Sequence, residues 1–554
     1  MEKPKREARC VMNYDVVLIH PPAIYDFRER VLFPGPLGYT VKESTDQFII
    51  PPVGMLSIAE YLERNGYRVK VDNIGERMVT DSGFDAVGHI KGLSAKVIGI
   101  DLHWCLHSQG AIELARACKE AHPETMVLLG GLTSTVFSEE IISKYDFLDA
   151  VIRGEAEKPF LELMKGLEQN EKLDEIPNLT FRDDEGKVRV NPMMKPSETL
   201  DEYDYTRLDL IEPQKIIYRN DKGGSWFIPV CRGCAYNCAT CGGSRYSYKT
   251  YLARERPAFR SPEKIAEDIE KLSKQGIKSV FLFQDPRMGG KEYCAKLFAA
   301  LRSKKSTAVN ISMELFGPAD EDYLKQIANV GLPIVLSISP ESCCDVVRKE
   351  QGRKYGNEEL FKTLKLCKKY NIPIGVFSMI ALGDDTPKTI KDTWKIWEQI
   401  CIINRESSGK SPVHHAFGPM ILLDPGSPAF DYPEKHGYRL RFNNLEEYIN
   451  GMSLMSWHQW ISYETKYLNR ETIIKLIMDS IEYSIDLRER FGLFSEHDAS
   501  ARKLRFVTIN KMVVDVVNQV MDLDNEEERL ETITTFKKEL DDALSQMVPV
   551  ADDE

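Results

Sequence analysis

Four of the chain's twelve cysteines fall together in the segment Val230-Cys-Arg-Gly-Cys-Ala-Tyr-Asn-Cys-Ala-Thr-Cys-Gly-Gly-Ser. Thiolates gathered this way bind soft metals. A structural zinc site usually takes two Cys-x-x-Cys knuckles set a dozen or more residues apart, so that four ligands can close a tetrahedron. Here three residues separate Cys234 from Cys238 and two separate Cys238 from Cys241. That spacing suits three irons of a cubane and leaves the fourth iron open. An open iron can chelate the amino and carboxylate groups of S-adenosylmethionine (SAM) and pass an electron into its sulfonium. Iron–sulfur is therefore preferred over zinc. Gly242 and Gly243 follow at once, and their backbone can approach a ligand closely.

Two series of alternating elements flank this loop. In the first, Asp15-Val-Val-Leu-Ile-His-Pro-Pro is a short apolar run stopped by prolines, as a buried strand is. A helix with a glycine stop begins at Pro52-Val-Gly-Met. Strands are expected at residues 67–71, 97–101 and 126–129, with a helix over 111–121 before the last. This is a βαβ series, which implies a doubly wound, Rossmann-like parallel sheet with ligands at the carboxyl ends of its strands. A second series opens at Ser225-Trp-Phe-Ile-Pro-Val and has further strands at residues 279–283, 310–315, 333–339, 373–380 and near 420–423. Helices over 262–275 and 357–370 fall between them. Six such units fit a partial (β/α)6 barrel with active residues at strand ends.

The expected α/β organisation is a sheet domain over 1–168, a linker over 169–222, the barrel over 223–442 and a helical C-terminal region over 443–554. In the tail Ile533, Phe536, Leu540, Leu544 and Met547 recur at helical steps, and Trp457, Trp460, Tyr463 and Tyr467 form a second stripe of the same kind.

Arg232-Gly-Cys-Ala-Tyr-Asn-Cys-Ala-Thr-Cys resembles the radical SAM signature, with Cys234, Cys238 and Cys241 as ligands of a [4Fe–4S] cluster and Cys231 outside the pattern. The family commonly has an aromatic residue before the last ligand, where this chain has Thr240. The resemblance places SAM contacts at Gly242, at Gln284 and Asp285 for the amino group, at Glu314, and at Glu341-Ser342 near the ribose. Upstream, Gly130-Gly131 with Thr133, Ser134 and Thr135, then Arg153-Gly154-Glu155-Ala-Glu157, look like the cobalamin-binding domain that precedes many radical SAM barrels. The glycines would admit a large ligand, and the hydroxyls would bond its nucleotide loop. Asp101-Leu-His-Trp-Cys-Leu is similar to the cobalt-ligand motif of cobalamin mutases, but Leu106 replaces the final glycine and the segment follows the third strand rather than the first. The resemblance instead sets His103 or Trp104 at the lower face of the corrin.

The resemblance covers roughly residues 14–445. It implies a cobalamin-dependent radical SAM methyltransferase, in which a 5′-deoxyadenosyl radical takes hydrogen from an unactivated carbon and methylcobalamin supplies the methyl group. The alternative within the family is cyclisation, ring rearrangement or hydroxylation without methyl transfer. Expected partners are a small molecule or protein side chain as substrate and an electron donor such as flavodoxin or ferredoxin.

Composition agrees with this reading. A 42% hydrophobic and 29% charged chain is globular in type. Its net charge of -12 argues against a general nucleic-acid binder. There is no apolar run of membrane-spanning length and no secretory signal at the start, so the expectation is a cytoplasmic protein, and its cysteine usage suits an anaerobe.

Overall fold

The computed structural model describes residues 14–37, 49–218, 223–406, 412–418 and 423–545. Eight strands build the front sheet: Val16–His20 (β1), Val69–Asn73 (β2), Val97–Asp101 (β3), Met126–Gly130 (β4), Ala150–Ile152 (β5), Leu179–Arg182 (β6), Val188–Val190 (β7) and Ile211–Glu212 (β8). Their order is β7-β6-β5-β4-β3-β1-β2-β8. The strands from β8 to β5 are parallel, and β6 and β7 add antiparallel at one edge. Every residue of β1, β2 and β3 is buried, as expected for strands covered on both faces by helices such as Val53–Arg64, Ser108–Ala121 and Glu157–Gln169. Chain order reverses between β3 and β1, which makes the carboxyl ends of these two strands the ligand crevice of the sheet.

The segment expected to be a linker supplies three of these strands. It wraps the front sheet, closing one edge with the β6–β7 hairpin and the other with β8. The strands are short, and the outermost, Val-Arg-Val, is largely exposed as edge strands tend to be, so no buried apolar run marks it.

The second sheet holds Gly224–Pro229 (β9), Ile277–Phe283 (β12), Asn310–Leu315 (β13), Ile334–Glu341 (β14), Ile374–Met379 (β15) and Val413–Gly418 (β16), all parallel and in sequential order. A ribbon of Cys231–Arg232 (β10) against Ala258–Phe259 (β11) leads into the cysteine loop. The sixth strand is Val413–Gly418, not the run near 420–423, most of which lies outside the described residues. Its interior position is held by His415, which packs flat on Trp397 with ring centroids 5.2 Å apart and bonds Ser484 Oγ at 2.9 Å. A histidine facing inward breaks the hydrophobic signal that strand reading relies on.

The tail is helical over Leu445–Met452, Arg470–Arg490, Glu496–Lys503, Ile509–Met521 and Glu526–Ser545. Ile533 and Leu540 are buried with Phe33, Val513, Val517 and Val520, and Phe536 and Leu544 pack on that cluster, so the expected apolar face exists; Met547 lies outside the described residues. The aromatic stripe is not a helix face. Trp457 and Trp460 sit in a turn, and Tyr463 is in Tyr463–Thr465 (β18), which pairs antiparallel with Tyr438–Leu440 (β17). The Trp457 N–H donates to Phe33 O at 3.0 Å, and Tyr463 Oη donates to Ala381 O at 2.9 Å. These long-range bonds outweigh the helical spacing. Among the described residues no helix is long and apolar enough to cross a membrane.

Two glycines give a matched test of this packing. A Cβ on Gly110 would lie 1.9 Å from Pro22 O, whereas one on Gly54 meets nothing within 4 Å. Gly110→Val should cost about 2 kcal/mol or more through overpacking, and Gly54→Ala should gain roughly 0.5 kcal/mol by restricting the unfolded chain. Thermal melts compare them, and equal midpoints would refute this account.

Candidate functional site

The cysteine loop hangs from the end of β9, where the Val230 N–H donates to Phe283 O at 3.1 Å. Gly233 takes φ +104, and a Cβ there would lie 2.9 Å from Pro257 Cα, so the loop needs glycine to leave the ribbon. Cys231 stays behind in β10, fully buried with its thiol on Gly233 O. Cys238 is buried, and Cys234 and Cys241 are half-buried. Backbone N–H groups already face two sulfurs, Tyr236 N to Cys234 Sγ at 3.4 Å and Gly243 N to Cys241 Sγ at 3.3 Å. Burial pushes all three thiols up, Cys238 to about 12, so iron would have to displace their protons. Among the described residues no three His, Cys, Asp or Glu side chains gather tightly enough for one metal ion. The fit is judged on the donor set, three soft thiols in one loop with N–H donors aimed at sulfur, and it suits a cluster with an open iron.

Beside the loop, the ends of β12 to β14 carry the polar groups expected for SAM. Gln284 adopts φ +79; its N–H donates to Glu314 Oε2 at 2.7 Å, and its Oε1 is buried with no hydrogen-bond partner among the described residues. Glu314 forms no ion pair among the described residues, and burial raises its pKa, with Asp285 adding to the effect and Arg353 opposing it. A carboxylate and an amide oxygen left short of donors suit an ammonium group. Asp285 has other work. Its carboxylate takes Arg287 at 2.9 and 3.1 Å and the Phe316 N–H at 2.7 Å, so it braces two loops rather than standing open to a ligand. Glu341, at φ +63, is bonded by Arg353, and buried Ser342 accepts the Cys344 N–H at 3.0 Å. Gly242 donates to Asp424 Oδ2 at 2.9 Å, and a Cβ on it would meet Leu132 Cδ2 of the front domain at 2.7 Å. Burial lifts Asp424 to about 6. Thr240 is buried in the loop.

At the front crevice, Gly131 takes φ +113 because a Cβ there would stand 2.6 Å from His103 N. Thr133 bonds His103 O through both N–H (3.2 Å) and Oγ1 (3.0 Å). Ser134 Oγ and Thr135 Oγ1 donate to Gly131 O, and Thr135 Oγ1 accepts the Gly154 N–H at 2.9 Å. These hydroxyls stitch together the loops after β3, β4 and β5. Gly130 keeps open space, with its nearest neighbour 3.9 Å from a Cβ, whereas a Cβ on Gly154 would clash with Met193 Cε at 2.4 Å. His103 is half-buried and edge-on to Trp104 with centroids 5.2 Å apart; burial lowers its pKa, and its imidazole forms no hydrogen bond among the described residues. His20, at the end of β1, bonds Asp101 Oδ2 at 3.0 Å.

The two halves meet through charge. Arg232, two residues before Cys234, donates to Glu155 Oε2 at 3.0 Å and to Glu157 Oε2 and Oε1 at 3.1 and 2.7 Å. Arg254 takes both oxygens of Glu155, at 2.5 and 2.8 Å. Ser57 Oγ donates to Glu157 Oε1 at 2.7 Å. Glu155, expected at the cobalamin, is thus committed to two barrel arginines. Sequence reading placed Glu157 only in the cobalamin motif, without its pairing to Arg232, and it missed Arg254 and Arg353; the alternation of Glu155 and Glu157 was the one available hint.

Residues 228–395 match the radical SAM superfamily, and residues 44–164 match the B12 binding domain. An anaerobic magnesium-protoporphyrin IX monomethyl ester cyclase of Rubrivivax gelatinosus is 24% identical over 62% of this chain, which spans only 61% of that protein's length. An uncharacterized methyltransferase of Pyrococcus horikoshii is 23% identical, covering 80% of this chain and 91% of the relative. In fold, the chain is similar to the radical SAM methyltransferase TsrM of Kitasatospora setae (TM-score 0.60, 14% identity, 84% of this chain and 89% of that one). It is likewise similar to the cobalamin-dependent radical enzyme OxsB (TM-score 0.60, 13% identity, 97% and 82%). The chain belongs to the cobalamin-binding radical SAM enzymes, whose cofactors are a [4Fe–4S] cluster, SAM and cobalamin.

Removing one carboxylate from the clamp tests its weight. Burial alone would raise the Glu157 pKa, but Arg232 outweighs it and holds the carboxyl below the usual range. Its stabilisation is therefore complete above the ordinary value of 4.5 and is lost as pH falls through the folded value. Glu157→Ala should cost about 3 kcal/mol near neutral pH and flatten the acid limb of the stability curve. An unchanged acid limb in urea titrations would count against the clamp.

Proposed function

We propose that the protein transfers a methyl group to an unactivated carbon of a small molecule or protein side chain. The observation that supports this reading is the clamp, which holds the cysteine loop against Glu155 and Glu157 of the front domain and so keeps the radical-forming half next to the cobalamin-binding half. When bound, the cluster would supply the electron for reductive cleavage of SAM, and cobalamin would supply the methyl group. The chain's part is to bind and orient. Cys234, Cys238 and Cys241 hold iron; Glu314 and Gln284 take the SAM ammonium; Glu341 lies toward the ribose. Gly130 leaves the crevice open to a large ligand, and His103 or Trp104 would border bound cobalamin. An external donor such as flavodoxin or ferredoxin supplies electrons, which suits a cytoplasmic setting in an anaerobe.

Similarity to the cyclase supports a second reading, ring formation without methyl transfer. Product analysis after anaerobic reconstitution with iron, sulfide, cobalamin, SAM and reductant separates the two. Methylation predicts a substrate heavier by one methylene together with S-adenosylhomocysteine; cyclisation predicts 5′-deoxyadenosine without S-adenosylhomocysteine. Cys238→Ala should abolish the 5′-deoxyadenosine and most of the iron, and Glu314→Gln should weaken SAM binding roughly tenfold. Zinc without iron in anaerobically purified protein would defeat both readings.

A further inference from the structure

One buried cation near the cysteine loop has no part in the clamp. Arg353 is 6% exposed and joins three elements. Its Nη2 and Nε bond Glu341 Oε1 at the end of β14, at 2.9 and 3.2 Å, and its Nη1 bonds Phe316 O just past β13 at 2.9 Å. Its guanidinium also lies 5.1 Å from the Phe316 ring and 5.8 Å from the ring of Tyr236 in the cysteine loop. Those two rings meet edge-on at 5.7 Å. The residues just before it touch the loop directly. Gln351 O accepts the Ala239 N–H at 3.2 Å, and Gly352, at φ +93, lies where a Cβ would be 2.5 Å from Asn237 O.

Glu341 is held asymmetrically. Both of its bonds from Arg353 fall on Oε1, and Oε2 accepts no hydrogen bond among the described residues. The backbone there is left-handed, at φ +63, a conformation that needs support from its surroundings in a residue other than glycine. A forked guanidinium supplies that support, and lysine could not reproduce it.

We infer that Arg353 is a positioning residue that holds Glu341 with one oxygen presented to the SAM ribose and, from the same place, sets the positive charge felt by the iron–sulfur cluster. The inference rests on the functional reading above. A cation beside the cluster favours its reduced, more negative state. Losing the cation should drive the midpoint potential downward, and losing the fork should release Glu341.

The test uses the full chain, reconstituted anaerobically, with the midpoint followed by electron paramagnetic resonance during titration with dithionite and SAM affinity measured by calorimetry. Arg353→Gln should move the midpoint to more negative values and weaken SAM binding roughly tenfold. Arg353→Lys should keep a midpoint near wild type yet still bind SAM more weakly. Glu341→Gln, which keeps the cation, should weaken SAM binding without a negative shift. Iron-replete Arg353→Gln with wild-type potential and affinity overturns the inference. If that variant loses iron, a wild-type SAM affinity in both Arg353→Lys and Glu341→Gln overturns it instead. Wild-type protein that takes up no cluster or cleaves no SAM would sink the functional reading, a result distinct from these.

Discussion

The pairing of Arg232 is the constraint from which the rest of the arrangement follows. A half-buried guanidinium beside the first ligand, Cys234, must find its counter-charge within the protein. The barrel does not provide it; Glu155 and Glu157 of the front domain do. The cysteine loop is therefore held in this conformation by the docked front domain, and separating the two would leave four charged groups, Arg232, Arg254, Glu155 and Glu157, unpaired. Buried ion pairs of this kind add little net stability compared with well-packed apolar groups, but breaking one is costly. Their contribution here is register. Arg254 repeats the device on Glu155 and ties in the wrapping segment through Ser197 O at 2.8 Å, so the segment whose strands extend the front sheet is also fastened to the barrel.

With the domains in register, short-range packing sets the crevice. Leu132, at the start of the helix after β4, fits against Gly242, the residue after the last cysteine ligand. Directly behind Leu132, Gly131 and Thr133 grip the backbone of His103. The loop after β3 and the cysteine loop are thus joined through only a few residues, all at the carboxyl ends of their sheets. Hydroxyls committed to backbone carbonyls make these loops rigid before any ligand arrives, which lowers the ordering cost of binding.

Sequence reading succeeded where the signal is local and stopped where it is not. The cysteine triad is legible because all its ligands lie on one loop. Strands β3 and β13 are legible to the residue, since unbroken burial or clean alternation leaves a pattern in the chain itself. β16 was displaced because His415 faces inward, where its partners Trp397 and Ser484 lie on other elements. The stripe from Trp457 to Tyr467 has helical spacing by coincidence; bonds to Phe33 and Ala381 decide its conformation. Site residues divide the same way. Glu314 and Gln284 stand at strand ends as motif position suggests, but the engagements of Glu155 with Arg254 and of Asp285 with Phe316 span 99 and 31 residues of chain. Arg287 stands two residues from Asp285 and bonds it, but nothing near Glu155 in the chain reveals that it is already taken.

The same reasoning accounts for the choice of base. The chain is acidic overall, yet the cations closest to its chemistry are buried or half-buried arginines, each satisfied by several acceptors: Arg232 by two glutamates, Arg287 by Asp285 and two carbonyls, Arg348 by Asp345, Asn357 and carbonyls, Arg353 by Glu341 and Phe316 O. Lysine could carry the charge, but its single, strongly hydrated ammonium group cannot bridge acceptors on separate strand ends. An open barrel whose rim is built from the ends of different strands needs fasteners that reach sideways. Forked guanidinium groups provide that reach, and because each is paired, they stiffen the rim without leaving it a net positive surface. Glu314, at the end of β13 and without an ion pair among the described residues, is then well placed to receive a positively charged ligand.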